Sequence, residues 1–202
     1  MQRKLPKYQQ SLTPKALTWR RVRWFLSRTQ QRIAQRPPAP WQDIFAESVW
    51  SPYRQILLSY LGSFLGIAVL AYLTIHSGYP LIAAPFGATA VLVFAVPDSP
   101  MAQPRNVLGG NCLAAITCVL LVQLFGTEPW VMALAVATAI KLMQLTQTLH
   151  PPGGAIALLG VMSQASWDFV WIPVLVGSVV LVVCTIVFNN LVPGRTYPKR
   201  WF

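Results

Sequence analysis

Carboxylates are nearly missing from this sequence. Five acidic residues stand against sixteen basic ones in 202 residues, and none of the five falls in a long apolar run. Those runs therefore hold no carboxylate pair for acid–base work, no metal-ligand cluster and no Ser–His–Asp set, so an enzyme is not expected. Charge of either sign is scarce, at 10% of residues, which excludes the hydrated surface of a soluble domain. Cysteine is scarce as well. Cys112, Cys118 and Cys184 are odd in number, lack CxxC spacing and sit in apolar surroundings, so they read as small packing residues rather than disulfides or zinc ligands. No cofactor is expected.

What fills the chain is hydrophobic sequence. Four runs, 56–76, 107–126, 129–149 and 170–191, approach the ~20 apolar residues that cross a hydrocarbon core of about 30 Å. That is the pattern of a multi-pass integral membrane protein. The formal charge of +11 is placed unevenly: ten basic residues precede position 37 and three follow 194. Basic flanks beside membrane spans read as cytoplasmic segments held against anionic lipid, not as a nucleic-acid surface. Within the first flank, Trp19, Val22, Leu26 and Ile33 share one helical face, with Arg20, Arg21, Arg23, Arg28 and Arg32 around the rest. The spacing predicts an interfacial amphipathic helix over 16–36 with anionic lipid as its partner. The domain plan is then a basic arm (1–50), a transmembrane domain (51–193) and a basic tail (194–202). No removable secretory signal is evident. Both termini are expected to be cytoplasmic, with a plastid transit peptide as the alternative reading of the Arg-rich leader.

Between the long runs lie two shorter apolar segments that resemble each other. PFGATAVL (85–92) lies over PGGAIALL (152–159), matching a proline, a glycine and two alanines at an offset of 67 residues. The same offset carries Gly110-Asn111 onto Gly177-Ser178. This predicts an all-α bundle of two repeats, about 54–126 and 127–193, each a long helix, a broken short helix and another long helix. Three crossings per repeat is odd, so the second repeat is inverted, the plan of many secondary transporters. Loop charges agree: Arg105, Arg195, Lys199 and Arg200 fall on the side of the basic arm, as the positive-inside rule asks. A four-helix model with both short segments re-entrant also keeps the termini together.

After Pro85 and Pro152, about 12 apolar residues remain, some 18 Å of helix, too short to span alone. Extended lead-ins (81–85, 148–152) complete each crossing, and such backbone is tolerated only inside protein or along a wet cavity. The break sets two half-helix N-termini, Phe86-Gly87-Ala88 and Gly153-Gly154-Ala155, at mid-membrane with unpaired amides, a site for a small anion. Lys141, in the middle of run 129–149, is expected to face that cavity. His150 is expected to bind the anion, exchange a proton or satisfy backbone carbonyls. Thr89 and Asn111, with Gln144 and Thr148, complete the cavity or act as interhelical glue. Gly62 and Gly66 form a GxxxG face for packing within the fold or between protomers.

HPP (150–152) followed by GGAIAL, with PFGATAVLVFAVPDSPMAQPRNVLGGN (85–111) upstream, closely resembles the HPP integral membrane family over about residues 50–200. The resemblance implies four membrane spans and, from plastid and cyanobacterial members, nitrite transport. Asn111 stands where many relatives carry histidine, so a proton relay at that position is not implied. The function expected is membrane transport of a small inorganic monoanion, nitrite first, by a homo-oligomer. The alternative is a membrane scaffold working through its basic arm.

Overall fold

In the computed structural model the described residues are 52–201; they are helical and contain no strand. The basic arm, its expected amphipathic helix and its lipid contacts lie outside them. Helix α1 is Pro52–Ser77. Helix α2, Pro85–Ala90, runs on into a π-helical turn, Val91–Ala95. A 3-10 turn, Pro100–Ala102, leads to α3, Pro104–Phe125. Helix α4 is Pro129–Leu145 and α5 is Pro152–Met162. A short α6, Trp167–Phe169, enters a π-helical stretch, Val170–Leu175, and then α7, Val176–Leu191. Helices α1 to α5 all begin on proline, whose missing N–H costs nothing in a first turn and whose ring fixes the helical φ.

Among the described residues three helical stretches, not four, are long and apolar enough to cross a membrane: Tyr53–Ser77, Pro104–Phe125 and Trp167–Leu191. The run expected over 129–149 stops at Leu145 because Thr146 Oγ1 donates back to Leu142 O at 2.8 Å and Gln147 turns left-handed at φ 56°. An α-helix cannot continue through that conformation. Its 17 residues make about 25 Å. The last span is interrupted in its first half, where Ile172 is extended (φ −134°, ψ 119°) ahead of Pro173. Both lead-ins are non-helical, at 81–83 and 148–150, as expected from the matched prolines.

Glycine and polar contacts fix the directions of the segments. Gly62 and Gly66 of α1 meet Phe188 and Leu181 of α7 in antiparallel order. Helix α2 runs parallel to α7, with Phe86 at Gly177 and Val93 O accepting from Asn189 Nδ2. Helix α5 runs parallel to α3, with Gly153 at Gly110 and Gly160 at Cys118. The end of α4 meets the start of α3 through Arg105 Nη2, which donates to Thr146 O at 3.0 Å. The six main segments therefore alternate in direction along the chain.

Burial follows the same grouping. One apolar cluster gathers Ala114, Cys118, Ala135, Ala139 and Ile156 from α3, α4 and α5. The other gathers Leu70, Phe86, Phe94 and Leu181 from α1, α2 and α7. The GxxxG pair belongs to this second cluster: a Cβ at Gly62 would sit 2.6 Å from Phe94 Cδ1, and one at Gly66 2.8 Å from Phe94 Cε2. Both glycines thus admit the Phe94 ring within the fold rather than a neighbouring protomer. Tyr53, Tyr79, Trp130, Trp167 and Trp171 are exposed at or near segment ends, where an aromatic belt is expected.

The tail is anchored at one buried residue. Tyr197 is 2% exposed and its hydroxyl donates to Ala102 O at 2.7 Å. Burial pushes that phenol well above its ordinary pKa, so it stays a neutral donor. Gln103 joins tail to loop. Its Nε2 donates to Pro97 O and Ser99 O, both at 2.9 Å, while its Oε1 accepts from Lys199 N at 2.8 Å and Arg200 N at 3.3 Å. Removing the amide leaves buried main-chain groups unpaired, each costing about 1–3 kcal/mol. Gln103→Ala should therefore destabilise the fold by about 2–3 kcal/mol, read as a lower unfolding temperature in detergent.

Candidate functional site

The polar interior gathers where α3 and α7 cross. Asn111 Nδ2 donates to Ser178 Oγ at 3.0 Å, and both residues are fully buried. Next to each is a glycine that the chain opposite approaches closely. A Cβ on Gly110 would lie 2.7 Å from Thr148 O and 2.7 Å from His150 Cβ. A Cβ on Gly177 would lie 2.6 Å from Leu81 O and would strike the Phe86 ring. Leu81 and Thr148 are the lead-in residues of the two broken helices. Each lead-in is thus pressed against a glycine of the helix that follows the other break. Only glycine allows main chain that near.

His150 sits on the first of these crossings and is fully buried. Its Nδ1 lies 2.8 Å from Met101 O and its Nε2 lies 3.0 Å from Thr89 Oγ1. A carbonyl can only accept, so Nδ1 carries a proton and the neutral ring accepts the Thr89 hydroxyl at Nε2. Pro85 O, at 3.4 Å, is a second acceptor for that hydroxyl. Protonated, the ring would donate from Nε2 to Thr89 Oγ1, and the hydroxyl would turn to Pro85 O. The pair joins the 3-10 turn at Met101 to α2 by hydrogen bonds.

Asn111 Oδ1 is buried with no hydrogen-bond partner among the described residues. With the amide turned over, Oδ1 would accept from the Ser178 hydroxyl and the NH2 group would be the unpaired end. In either orientation one polar end of Asn111 is left over in the core, a place where a solute or water gains a hydrogen bond.

The amides expected to be bare are not. Phe86 N donates to Ala83 O at 2.9 Å and Gly87 N to Ala84 O at 3.1 Å. Gly153 N donates to His150 O at 2.9 Å and Gly154 N to Pro151 O at 3.0 Å. The chain enters both helices already coiled, with Ala84 and Pro151 in helical conformation, so i to i−3 bonds absorb the first donors. Gly87, Ala88 and Ala155 are exposed, on the face away from the crossing, and Gly154 is half-buried. Lys141 is exposed too, one turn before α4 ends. The earlier helix stop places it near that end, where a long basic side chain reaches polar surroundings instead of a mid-helix cavity. Gln144 shares its exposure, whereas Thr148 is buried.

Of the expected residues, the structure therefore brings together Phe86, Thr89, Asn111, His150 and Gly153. It sets Gly87, Ala88, Lys141 and Ala155 apart from them. Ser178 joins the site unannounced by its residue type; its match to Asn111 at the 67-residue offset was the available signal. Met143, whose sulfur lies 3.2 Å from the Gly110 Cβ position and 3.1 Å from that of Gly153, carried no signal at all.

The model of the HPP transmembrane region matches residues 49–198. Two transmembrane proteins of Dictyostelium discoideum are similar to the chain, each 37% identical, over 179 and 174 residues. These matches cover 83% and 80% of this chain but 59% and 56% of those relatives, so the chain spans less than two thirds of their length. No solved structure matches. The HPP motif itself lies at the break, with His150 buried and bonded to Thr89 and Pro152 opening α5. A membrane-spanning chain whose described residues are helical, matched from 49 to 198 by this family's model, belongs to the HPP transmembrane family.

Proposed function

We propose that the protein transports a small inorganic monoanion across its membrane, with nitrite as the substrate, through the crossing of α3 and α7. The observation that carries this reading is the pair of crossed contacts, Gly110 against Thr148 O and Gly177 against Leu81 O. Adding 67 to 81 and to 110 gives 148 and 177, so exchanging the two repeats turns either contact into the other. The Asn111–Ser178 bond maps onto itself. Such reciprocity is what a two-fold axis through that bond produces, relating two repeats of opposite direction. Alternating access follows naturally when one half rocks against the other about such an axis.

Chemistry favours an anion. The one acid in the described helical spans is Asp168, exposed in the first turn of Trp167–Leu191, so none lies buried to balance a cation, and Arg105, Arg195, Lys199 and Arg200 gather at the end of the bundle nearest His150. At the crossing, the Asn111 amide and the hydroxyls of Thr89 and Ser178 are neutral donors that replace part of a small anion's hydration. Protonation of His150 would add the compensating charge and couple anion to proton movement. The family resemblance directs attention to nitrite. The protein acts as a carrier and not as a catalyst, in a homo-oligomer whose neighbours cover the broad exposed face of α1. It sits in a bacterial or cyanobacterial inner membrane, with its termini in the cytoplasm.

Counterflow in proteoliposomes tests the reading: vesicles preloaded with nitrite should accumulate labelled nitrite transiently, and an imposed proton gradient should change the rate. Absence of counterflow for nitrite, nitrate, formate and chloride alike would refute it. Lys141→Met should leave flux within about twofold of wild type, because that ammonium lies off the route.

A further inference from the structure

A second polar feature lies beside the site and is not part of it. Between the start of α3 and residues 200–201 is a cleft of about 200 Å3, walled by Arg105, Arg200, Gln103, Asn106, Gln147 and Trp201. A water molecule claims about 30 Å3 of liquid, so the cleft has room for a small oxyanion with part of its hydration shell.

Among the described residues the cleft is cationic without a neutralising acid: no carboxylate of theirs lines it, and Asp98, a nearby acid, is taken by Lys199 Nζ at 3.3 Å. Arg105 spends one donor on Thr146 O and keeps the rest of its guanidinium fork. Arg200 holds its place through its main-chain N–H, which donates to Gln103 Oε1 at 3.3 Å, so its side chain is not needed for the clamp. Two guanidiniums with amide side chains between them suit a planar oxyanion, which takes paired N–H bonds from each fork.

The floor of the cleft leads to the break. Asn106 Nδ2 donates to Leu149 O at 3.0 Å, and Leu149 immediately precedes His150. Arg105 and Asn106 thus hold the turn that closes α4 and the lead-in after it, at Thr146 O and Leu149 O. An anion held between the forks would sit against the segment that must move if the His150 crossing opens.

We propose that this cleft is the receiving site for a small planar oxyanion, held by Arg105 and Arg200 before it passes to the break at His150. The proposal rests on the transport reading above and adds to it the first binding step and its residues. The test uses Arg200→Gln and Arg200→Lys in the full chain, with nitrite and nitrate as probes.

Initial flux should keep its maximum within about twofold in Arg200→Gln, while the half-saturating concentration rises roughly five- to tenfold, as for loss of one charge-assisted contact. Arg200→Lys should fall between, since the charge survives and the fork does not. The difference should shrink in about 0.5 M salt, where exposed charges are screened. Separately, nitrite should raise the unfolding temperature of the wild type more than that of Arg200→Gln, by ligand linkage. Equal half-saturation in wild type and Arg200→Gln, with flux intact, overturns the proposal and leaves the transport reading standing. No flux in the wild type, with an Arg200-dependent thermal shift, leaves the cleft standing and removes transport. If Arg200 matters only in vesicles containing phosphatidylglycerol, and not in neutral phosphatidylcholine, the occupant is a lipid phosphate and the free-anion proposal is overturned.

Discussion

Gly110→Ala and Gly177→Ala should each abolish transport and destabilise the protein, while Gly87→Ala should do neither. The three substitutions add the same methyl group to three helices, so helix propensity favours all of them by roughly 0.5–1 kcal/mol. What differs is what the methyl meets. At Gly110 it meets the Thr148 carbonyl at 2.7 Å, and at Gly177 the Leu81 carbonyl at 2.6 Å. Main-chain oxygen held in a non-helical lead-in cannot swing aside as a flexible side chain can. Overpacking of this kind costs about 1–3 kcal/mol, and these sites belong at the upper end. At Gly87 the methyl meets nothing within 4 Å. Thermal unfolding should fall for the first two by similar amounts and hold or rise for the third. Nitrite flux should drop at least tenfold in the first two. Similar losses at positions 110 and 177 are what the proposed repeat predicts; a severe loss at one and none at the other would contradict it.

Replacing His150 should have the second-largest effect. The ring is fully buried and makes two bonds, to Met101 O and Thr89 Oγ1. His150→Ala strands the Met101 carbonyl, leaves the Thr89 hydroxyl only its 3.4 Å contact with Pro85 O, and opens a hole between α2 and the Met101 turn, at about 2–4 kcal/mol. A misfolded variant says nothing about transport, so His150→Gln is the informative one: its amide can keep one bond but cannot take up a proton near neutral pH. Flux in His150→Gln should fall at least tenfold at a pH where the wild type is driven by a proton gradient. Its residual rate should also be flat between about pH 5.5 and 8. A variant with wild-type flux and the wild-type pH profile would make the histidine a purely structural strut.

Much of this architecture was written in short-range chemistry. Pro85 and Pro152 announce the two broken helices, and both helices begin on them. The 67-residue offset that pairs PFGATAVL with PGGAIALL also pairs Gly110-Asn111 with Gly177-Ser178, the residues at the crossing. The mistaken expectations share a physical cause: hydropathy registers apolar composition but not where a backbone turns. Residues 146–148 are polar but uncharged, so they do not interrupt run 129–149 by charge, yet the left-handed Gln147 ends the helix early and carries Lys141 from mid-span to near an end. The amides of Phe86 and Gly153 were counted as free because a helix start leaves donors over. The coiled entry at Ala84 and Pro151 supplies carbonyls three residues back, a local geometry that composition does not encode. Gln103 and the tail were illegible for a different reason, since the bonds that join them close a loop of nearly a hundred residues.

The orphaned end of Asn111 now stands where the bare amides were expected. An Asn111→Leu chain would test it alone, but the larger question is whether the two halves oppose each other in the membrane. Single cysteines at Ser77, Asp98, Ser163 and Thr196, placed in a chain with its three native cysteines replaced, decide that by labelling from one side and then the other. All four positions are exposed, and the surface ion pair lost at Asp98 is worth little. The account predicts that Ser77 and Ser163 react from one side of the membrane, and Asp98 and Thr196 from the opposite side. Reaction of the Ser77 and Asp98 positions from the same side would make α2 a re-entrant loop and contradict the inverted arrangement.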